Sequence, residues 1–194
     1  AMTEPVGPAR PALSIVIVTR DRPQMLDRAL GAVRRSMSGA DELIVVDSAS
    51  VDRTGVAEVV NRHGARLVRL ERPGESVARN AGWRAAGKEL VAYTDDDVWV
   101  DDGWADQMAR AFVEHPEVAF VTGRIDIPEG QGTLAISIKD SADPETFDGR
   151  TAAMVGHSAS LTVRRAALET VGAITRMPQW LDETGPAFFS QLRR

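Results

Sequence analysis

Short, almost uninterrupted runs of β-branched residues, each followed by a helical pattern, constrain this chain more than any other feature. Leu13 to Thr19 is nearly continuous in apolar residues and rich in Val and Ile, as a strand buried on both faces requires. Met25, Leu26, Ala29, Leu30 and Val33 then fall on one helical face behind Pro23, which suits a first helical turn. Residues 43–46 repeat the strand pattern and end at Asp47. A helix over about 55–63 and a third strand over 66–70 follow. Val77, Ala78, Ala81 and Ala85 place a small-residue face on a helix that Gly87 is positioned to end. Residues 90–94 form a fourth strand that runs into an acidic cluster. Trp104, Met108, Ala111 and Phe112 mark a helix stopped before Pro116, and residues 118–122 a fifth strand. This alternation predicts an α/β fold, a mostly parallel sheet flanked by helices. Ligands of such sheets bind beyond the carboxyl ends of the strands, where Thr19, Asp47 and Asp95, Asp96 and Asp97 fall.

After Gly123 the alternation stops. Residues 125–150 are rich in proline, glycine and acid and read as irregular. Patterning returns at 160–163 and in a short helix over 165–171. The expected organisation is one domain over 13–194, with a ligand-binding front half (13–123) and a more variable back half (124–194). Residues 1–12 are expected to be a loose lead-in, its Ala1-Met2 an expression remnant. At 194 residues the chain can bury a substantial core. Its net charge of -5 argues mildly against a nucleic-acid partner. With no cysteine, thiolate chemistry is excluded, and any metal must use carboxylates, histidine or carbonyls. No apolar run reaches the length of a spanning helix, so a cytoplasmic protein without an integral membrane segment is expected. Oligomeric state is not legible.

Five of the eight residues between Asp95 and Asp102 are aspartates, directly after an apolar strand. Two carboxylates about 4 Å apart repel by roughly 4 kcal/mol at an effective dielectric of 20, which a cation would relieve. Mg²⁺ or Mn²⁺ suits such oxygens and bridges them to a diphosphate. We assign Asp95 to Asp97 to that chemistry. Asp101 and Asp102, just before the Trp104 helix, read instead as helix caps or solvated residues. Asp47 either accepts a hydrogen bond from a ligand or forms the turn. Asp52 and Thr54 read as caps of the next helix. Arg20 and Arg22 could hold a base or phosphate, or be solvated. Arg79 and Asn80 have the same two readings.

Five segments in order now converge on one family. Ser14-Ile-Val-Ile-Val-Thr-Arg-Asp-Arg-Pro resembles the opening strand and turn of family-2 glycosyltransferases. Residues 42–54 resemble their second strand and Asp-rich turn, and residues 78–87 their Arg-Asn-x-Gly helix. Residues 91–100 resemble the strand leading into the metal-binding DxD motif, and residues 156–172 a later acceptor-side segment. The resemblance implies a GT-A fold, Rossmann-like, and a nucleoside-diphosphate-sugar donor. It implies that Thr19, Arg20 and Asp47 contact the base, with Arg79 nearby, and that Asp95 meets the ribose. Asp96 or Asp97 would bind Mn²⁺ or Mg²⁺. The metal would stabilise the departing nucleoside diphosphate, a role worth several kcal/mol. Inverting members use a carboxylate to deprotonate an acceptor hydroxyl; the corresponding region offers Asp182 and Glu183. Ala173-Ile174-Thr175-Arg176 departs from the family pattern, so either this pair is the base or the usual motif lies outside the chain. The chain is also short for the family, which leaves a C-terminal acceptor-binding segment to be expected beyond it.

His157 could hydrogen-bond a sugar hydroxyl or phosphate, or be structural. Trp180, beside Asp182, is a candidate sugar platform, whereas Trp104 fits the core face of its helix. His63 and His115 end helices. Two rival functions remain: a non-catalytic relative that binds a nucleotide sugar or glycan, and a metal-dependent phosphotransferase. The phosphotransferase is disfavoured because Val18-Thr19-Arg20-Asp21 lacks a nucleophilic Asp-x-Asp. Neither G-x-x-x-x-G-K-[ST] nor G-x-G-x-x-G occurs where a strand would end.

Overall fold

The computed structural model describes residues 10–125, 145–147, 158–172 and 187–189. In chain order the elements are β1 (Leu13–Thr19), α1 (Pro23–Ser36), β2 (Glu42–Asp47), α2 (Arg53–Arg62), β3 (Arg66–Arg69), α3 (Glu75–Ala85), β4 (Leu90–Asp95), α4 (Trp104–Glu114), β5 (Phe120–Thr122), β6 (Glu145–Phe147), β7 (Leu161–Arg164), α5 (Arg165–Val171) and β8 (Ala187–Phe189). The sheet order is β3-β2-β1-β4-β7-β5-β8-β6. The first four strands are mutually parallel. β7 then inserts antiparallel between β4 and β5. The fifth strand therefore keeps the expected direction but does not touch the fourth.

The continuous apolar runs are explained by a two-sided core. Leu13, Ile15 and Ile17 of β1 face a cluster with Leu26, Leu30 and Val33 of α1, Val56 and Val60 of α2, and Met108 and Phe112 of α4. Val16 points the other way, joining Ile44, Val46, Val91 and Tyr93 under Ala78 and Trp83 of α3 and Leu168 of α5. Each buried aliphatic side chain contributes about 1.5–3 kcal/mol relative to exposure, so a strand covered on both faces gains at every position.

Several local expectations are corrected. Met25 and Val77 are exposed rather than core-facing. The close approach of α3 is set by Gly82: a Cβ there would lie 2.3 Å from Val16 Cγ1, so only glycine lets the helix sit on β1 and β2. α3 ends at Ala86 in extended backbone, before Gly87. Asp52 does cap α2, accepting the Gly55 N–H at 2.9 Å, but Thr54 lies inside the helix. Neither Asp101 nor Asp102 caps α4 with its side chain. Instead, Asp102 pairs with Arg35 at 3.0 Å in solvent. His63 ends α2 and bonds Asp27 at 2.7 Å. Trp104 is buried and donates to Ser160 Oγ at 3.0 Å. No helix among the described residues is long and apolar enough to cross a membrane.

The expected looseness of the N-terminal lead-in does not extend to Arg10. Its guanidinium meets Asp41 through two bonds of 3.0 and 2.6 Å and lies 3.2 Å from Asp106 of α4. The Asp41 side chain is enclosed and also accepts the N–H groups of Leu13 and Ser38. Burial pushes its carboxyl up, but Arg10 and these two donors outweigh burial and hold it below the usual range. A carboxylate held low stabilises the fold above its unfolded pKa of about 3.9 and loses that contribution as pH falls through the folded value. Asp41→Asn should therefore cost about 3 kcal/mol near neutral pH, as removal of one partner from a buried pair does. Urea unfolding of both proteins checks this. Their difference should narrow once the pH is taken below about 3.9, and an unchanged difference would refute the charged role of Asp41.

Candidate functional site

Parallel pairing brings three strand ends to one edge. Thr19 is in register with Asp47, and Val18 with Asp95. The loops that leave this edge are tied together by side chains. Asp21, with φ 55°, accepts the Val51 N–H at 2.6 Å and donates its own N–H to Ser50 Oγ at 2.8 Å. Ser48 Oγ accepts the Gly74 N–H at 3.1 Å, which fixes the entry to α3. Ala49 adopts φ 61°, a left-handed conformation that costs a side-chain-bearing residue about 1–2 kcal/mol and that the surrounding loop bonds impose.

Within this frame lies a cleft of about 580 Å³, lined by residues that include Thr19, Arg20, Arg22, Glu75, Arg79 and Asp95, Asp96 and Asp97. That volume is in the range of small-molecule sites. Asp96 is buried and accepts the Thr19 hydroxyl at 2.7 Å. Arg22 Nη1 lies 3.3 Å from Asp96 Oδ1 and 3.3 Å from Asp97 Oδ2. Arg79 reaches across from α3, 2.6 Å from Glu75 and 3.5 Å from Asp95. Burial pushes the Asp96 carboxyl above the ordinary aspartate value and Asp97 adds to this, against the opposing effect of Thr19 and Arg22.

The structure thus brings together Thr19, Arg20, Arg79, Asp95, Asp96 and Asp97. Asp47 is not among the lining residues. It is buried, its Oδ1 accepting the Ser50 N–H at 2.9 Å and its Oδ2 3.5 Å from Arg69, so the turn-forming reading describes what its carboxylate does here. His157, Trp180, Asp182 and Glu183 lie outside the described residues. Residues the sequence did not single out include Ser48, Pro73, Gly74 and Glu75. The available signal was Pro73-Gly74 immediately before a helix whose fifth residue is Arg79, placing Glu75 and Arg79 one turn apart.

Among the described residues no three His, Cys, Asp or Glu side chains cluster closely enough to cage a metal ion. That does not conflict with Mg²⁺- or Mn²⁺-type binding, in which one or two carboxylates act together with substrate phosphates. The cleft lining carries three arginines against four carboxylates. With all of them ionised it has one excess negative charge, unfavourable for a diphosphate until a divalent cation reverses the sign. The hard oxygens of Asp96 and Asp97 therefore fit such an ion.

Parallel strands β3-β2-β1-β4, an antiparallel β7 and a carboxylate-rich cleft at the strand ends define a GT-A-type nucleotide-sugar transferase fold. Solved structures share it. One is Staphylococcus aureus TarS 1-349 in complex with UDP (TM-score 0.72, 15% identity, 93% of this chain and 60% of that one). Another is the mannosyltransferase PcManGT from Pyrobaculum calidifontis in complex with GDP-Man and Mn²⁺ (TM-score 0.62, 22% identity, 86% of this chain and 48% of that one). The chain belongs to glycosyl transferase family 2, whose model matches residues 14–172. A related sequence is the pre-mycofactocin glycosyltransferase of Mycobacterium tuberculosis, 29% identical over 186 residues, covering 93% of this chain and 37% of that protein. The chain spans about a third of the length of the first curated relatives it matches.

A carboxyl whose folded pKa is raised destabilises the protein when ionised. That cost is absent below the unfolded value of about 3.9 and grows as pH rises through the folded one. Without ligands, Asp96→Asn should therefore melt at or above the wild-type temperature at neutral pH. The margin should narrow as the pH is lowered toward about 4. Scanning calorimetry across that range is the check; a variant that melts lower at every pH would contradict the assignment of Asp96 as a site residue held at a stability cost.

Proposed function

We propose that the protein transfers a sugar from a nucleoside-diphosphate donor to an acceptor hydroxyl, with a divalent cation at Asp96 and Asp97 and with inversion at the sugar carbon. The observation that carries this reading is the cleft at the ends of β1 and β4, where three aspartates meet Thr19, Arg22 and Arg79. Two structures that share the fold support the donor class: TarS 1-349 was solved in complex with UDP-GlcNAc, and PcManGT with GDP-Man and Mn²⁺.

In this reading Arg79 and Asp95 orient the nucleoside, and Thr19 holds Asp96 in place through its 2.7 Å hydrogen bond. The cation, when bound, supplies Lewis-acid stabilisation of the diphosphate charge. The bond between the sugar carbon and the diphosphate oxygen breaks as the acceptor oxygen bonds to the opposite face of that carbon. The acceptor's proton passes to a carboxylate base, which we assign to Asp182 or Glu183. His157 and Trp180 are assigned to the sugar and acceptor side. Asp47 is assigned to the nucleobase, its carboxylate retaining acceptor capacity beside the bond from Ser50.

The direct test is a thermal-shift panel of nucleoside diphosphates and their sugars, with and without Mn²⁺ or Mg²⁺. A ligand at 100 times its dissociation constant should add about 2.7 kcal/mol. The shift is expected to require metal and to vanish in the double variant Asp96→Asn/Asp97→Asn. A metal-independent shift, or one that survives the double substitution, would overturn the metal assignment. Replacing Asp182 and Glu183 by Asn and Gln should leave donor binding intact while abolishing transfer to any acceptor the wild type uses. Retained transfer would exclude them as the base.

A further inference from the structure

Arg22 joins two carboxylates of the cleft through one nitrogen, 3.3 Å from each. Asp96 and Asp97 are also the side chains assigned to the divalent cation, so a guanidinium holds the gap between them. Three observations make it a replaceable occupant. First, the Arg22 side chain takes no part in capping α1. Arg22 is the N-cap of α1 through its backbone, its carbonyl accepting the Leu26 N–H at 3.0 Å, with no side-chain cap and with Pro23 next. Second, the Arg22 and Asp97 side chains are 53% and 52% exposed; although Asp96 is only 7% exposed, Arg22 itself can swing away from both carboxylates into solvent. Third, 3.3 Å is long for a charge-assisted bond, which usually closes to about 2.7–2.9 Å. Arg79, 2.6 Å from Glu75 and 3.5 Å from Asp95, differs in being only 10% exposed, so burial holds it in the site.

We propose that Arg22 is an exchangeable counter-ion: it bridges Asp96 and Asp97 when no metal is bound, competes with the entering divalent cation, and once released binds the donor's phosphates. The proposal rests on the metal-dependent reading above and adds a consequence to it. Metal alone must displace a positive charge, so it binds weakly. A nucleoside diphosphate accepts the displaced guanidinium, so metal and nucleotide strengthen one another's binding, and by linkage they do so equally.

The experiment titrates Mn²⁺ alone into the wild type and Arg22→Gln, with free Mn²⁺ read by electron paramagnetic resonance, and repeats both titrations with saturating UDP or GDP. Arg22→Gln should bind Mn²⁺ alone about five- to tenfold more tightly than the wild type, and the gain in Mn²⁺ affinity conferred by nucleotide should shrink by a similar factor. Arg22→Lys, which keeps the charge, should restore weak binding of Mn²⁺ alone. A merely structural role for Arg22 would not raise metal affinity, so equal or weaker Mn²⁺ binding in Arg22→Gln overturns the proposal. If that happens while the wild type still takes up Mn²⁺ with nucleotide, the metal-dependent reading survives on its own. Failure of every protein to bind Mn²⁺ with either nucleotide overturns both. The gain must also disappear in Arg22→Gln/Asp96→Asn/Asp97→Asn; if it persists, the metal lies elsewhere and Arg22 does not compete with it.

Discussion

The structure depends on β1 being paired in parallel on both sides, with β2 and with β4. Parallel pairing sends all three strand ends to the same edge, so residues far apart in the chain arrive together without a dedicated scaffold. The pairing requires helical crossovers, and these cover both faces of the sheet. That is why β1 is apolar at nearly every position and why Val16 and Ile17 belong to different packing clusters. Gly82 is part of the same arrangement, because α3 carries Arg79 into the cleft only by lying directly against Val16.

The loops at that edge are held by polar contacts rather than by packing. Thr19 bonds Asp96, Asp21 bonds Val51, and Ser48 holds the Gly74 N–H. Each contact joins loops that follow different strands. Two non-glycine residues, Asp21 and Ala49, adopt left-handed backbone within this network. Strained conformations persist where the surroundings over-determine them, and they gather at sites that bind or react.

Charge sets the chemistry of the cleft. Four carboxylates and three arginines face one another across it, and Asp96 pairs with only part of the positive charge while being buried. Its carboxyl is consequently driven above the ordinary range. This differs from Asp41, whose side chain is also enclosed but is met by a two-pronged arginine and two backbone donors, and which is held low. Burial is common to both residues; the number and geometry of donors decides the direction. A carboxylate left under-neutralised in a cleft is suited to a cation that comes and goes, whereas the fully satisfied one is suited to holding the fold.

The order and type of β1 to β5, α1 to α5 and β7 were legible because burial on two faces and on one stripe leave different periodicities in the residues. The acidic run Asp95-Asp96-Asp97 stood out in the sequence because crowded like charges demand an explanation wherever they sit. Which partner each aspartate meets was not legible. Asp47 ends its strand as Asp95 does, yet its carboxylate closes a turn with Ser50 and meets Arg69, while Asp96, just past β4, meets Thr19 at the end of the neighbouring strand β1. Met25 and Val77 carried the right period but the wrong side of the stripe, a difference of one residue in helix rotation that only the packing partner resolves. The insertion of β7 between β4 and β5, the contribution of Glu75, and the bridging of Asp96 and Asp97 by Arg22 all arise from contacts between distant segments. The sequence by itself determined the alternating parallel architecture and the family, since local periodicity and motif order suffice for both. Only the tertiary structure decided the partner of each charge, because that depends on distances that no spacing along the chain encodes.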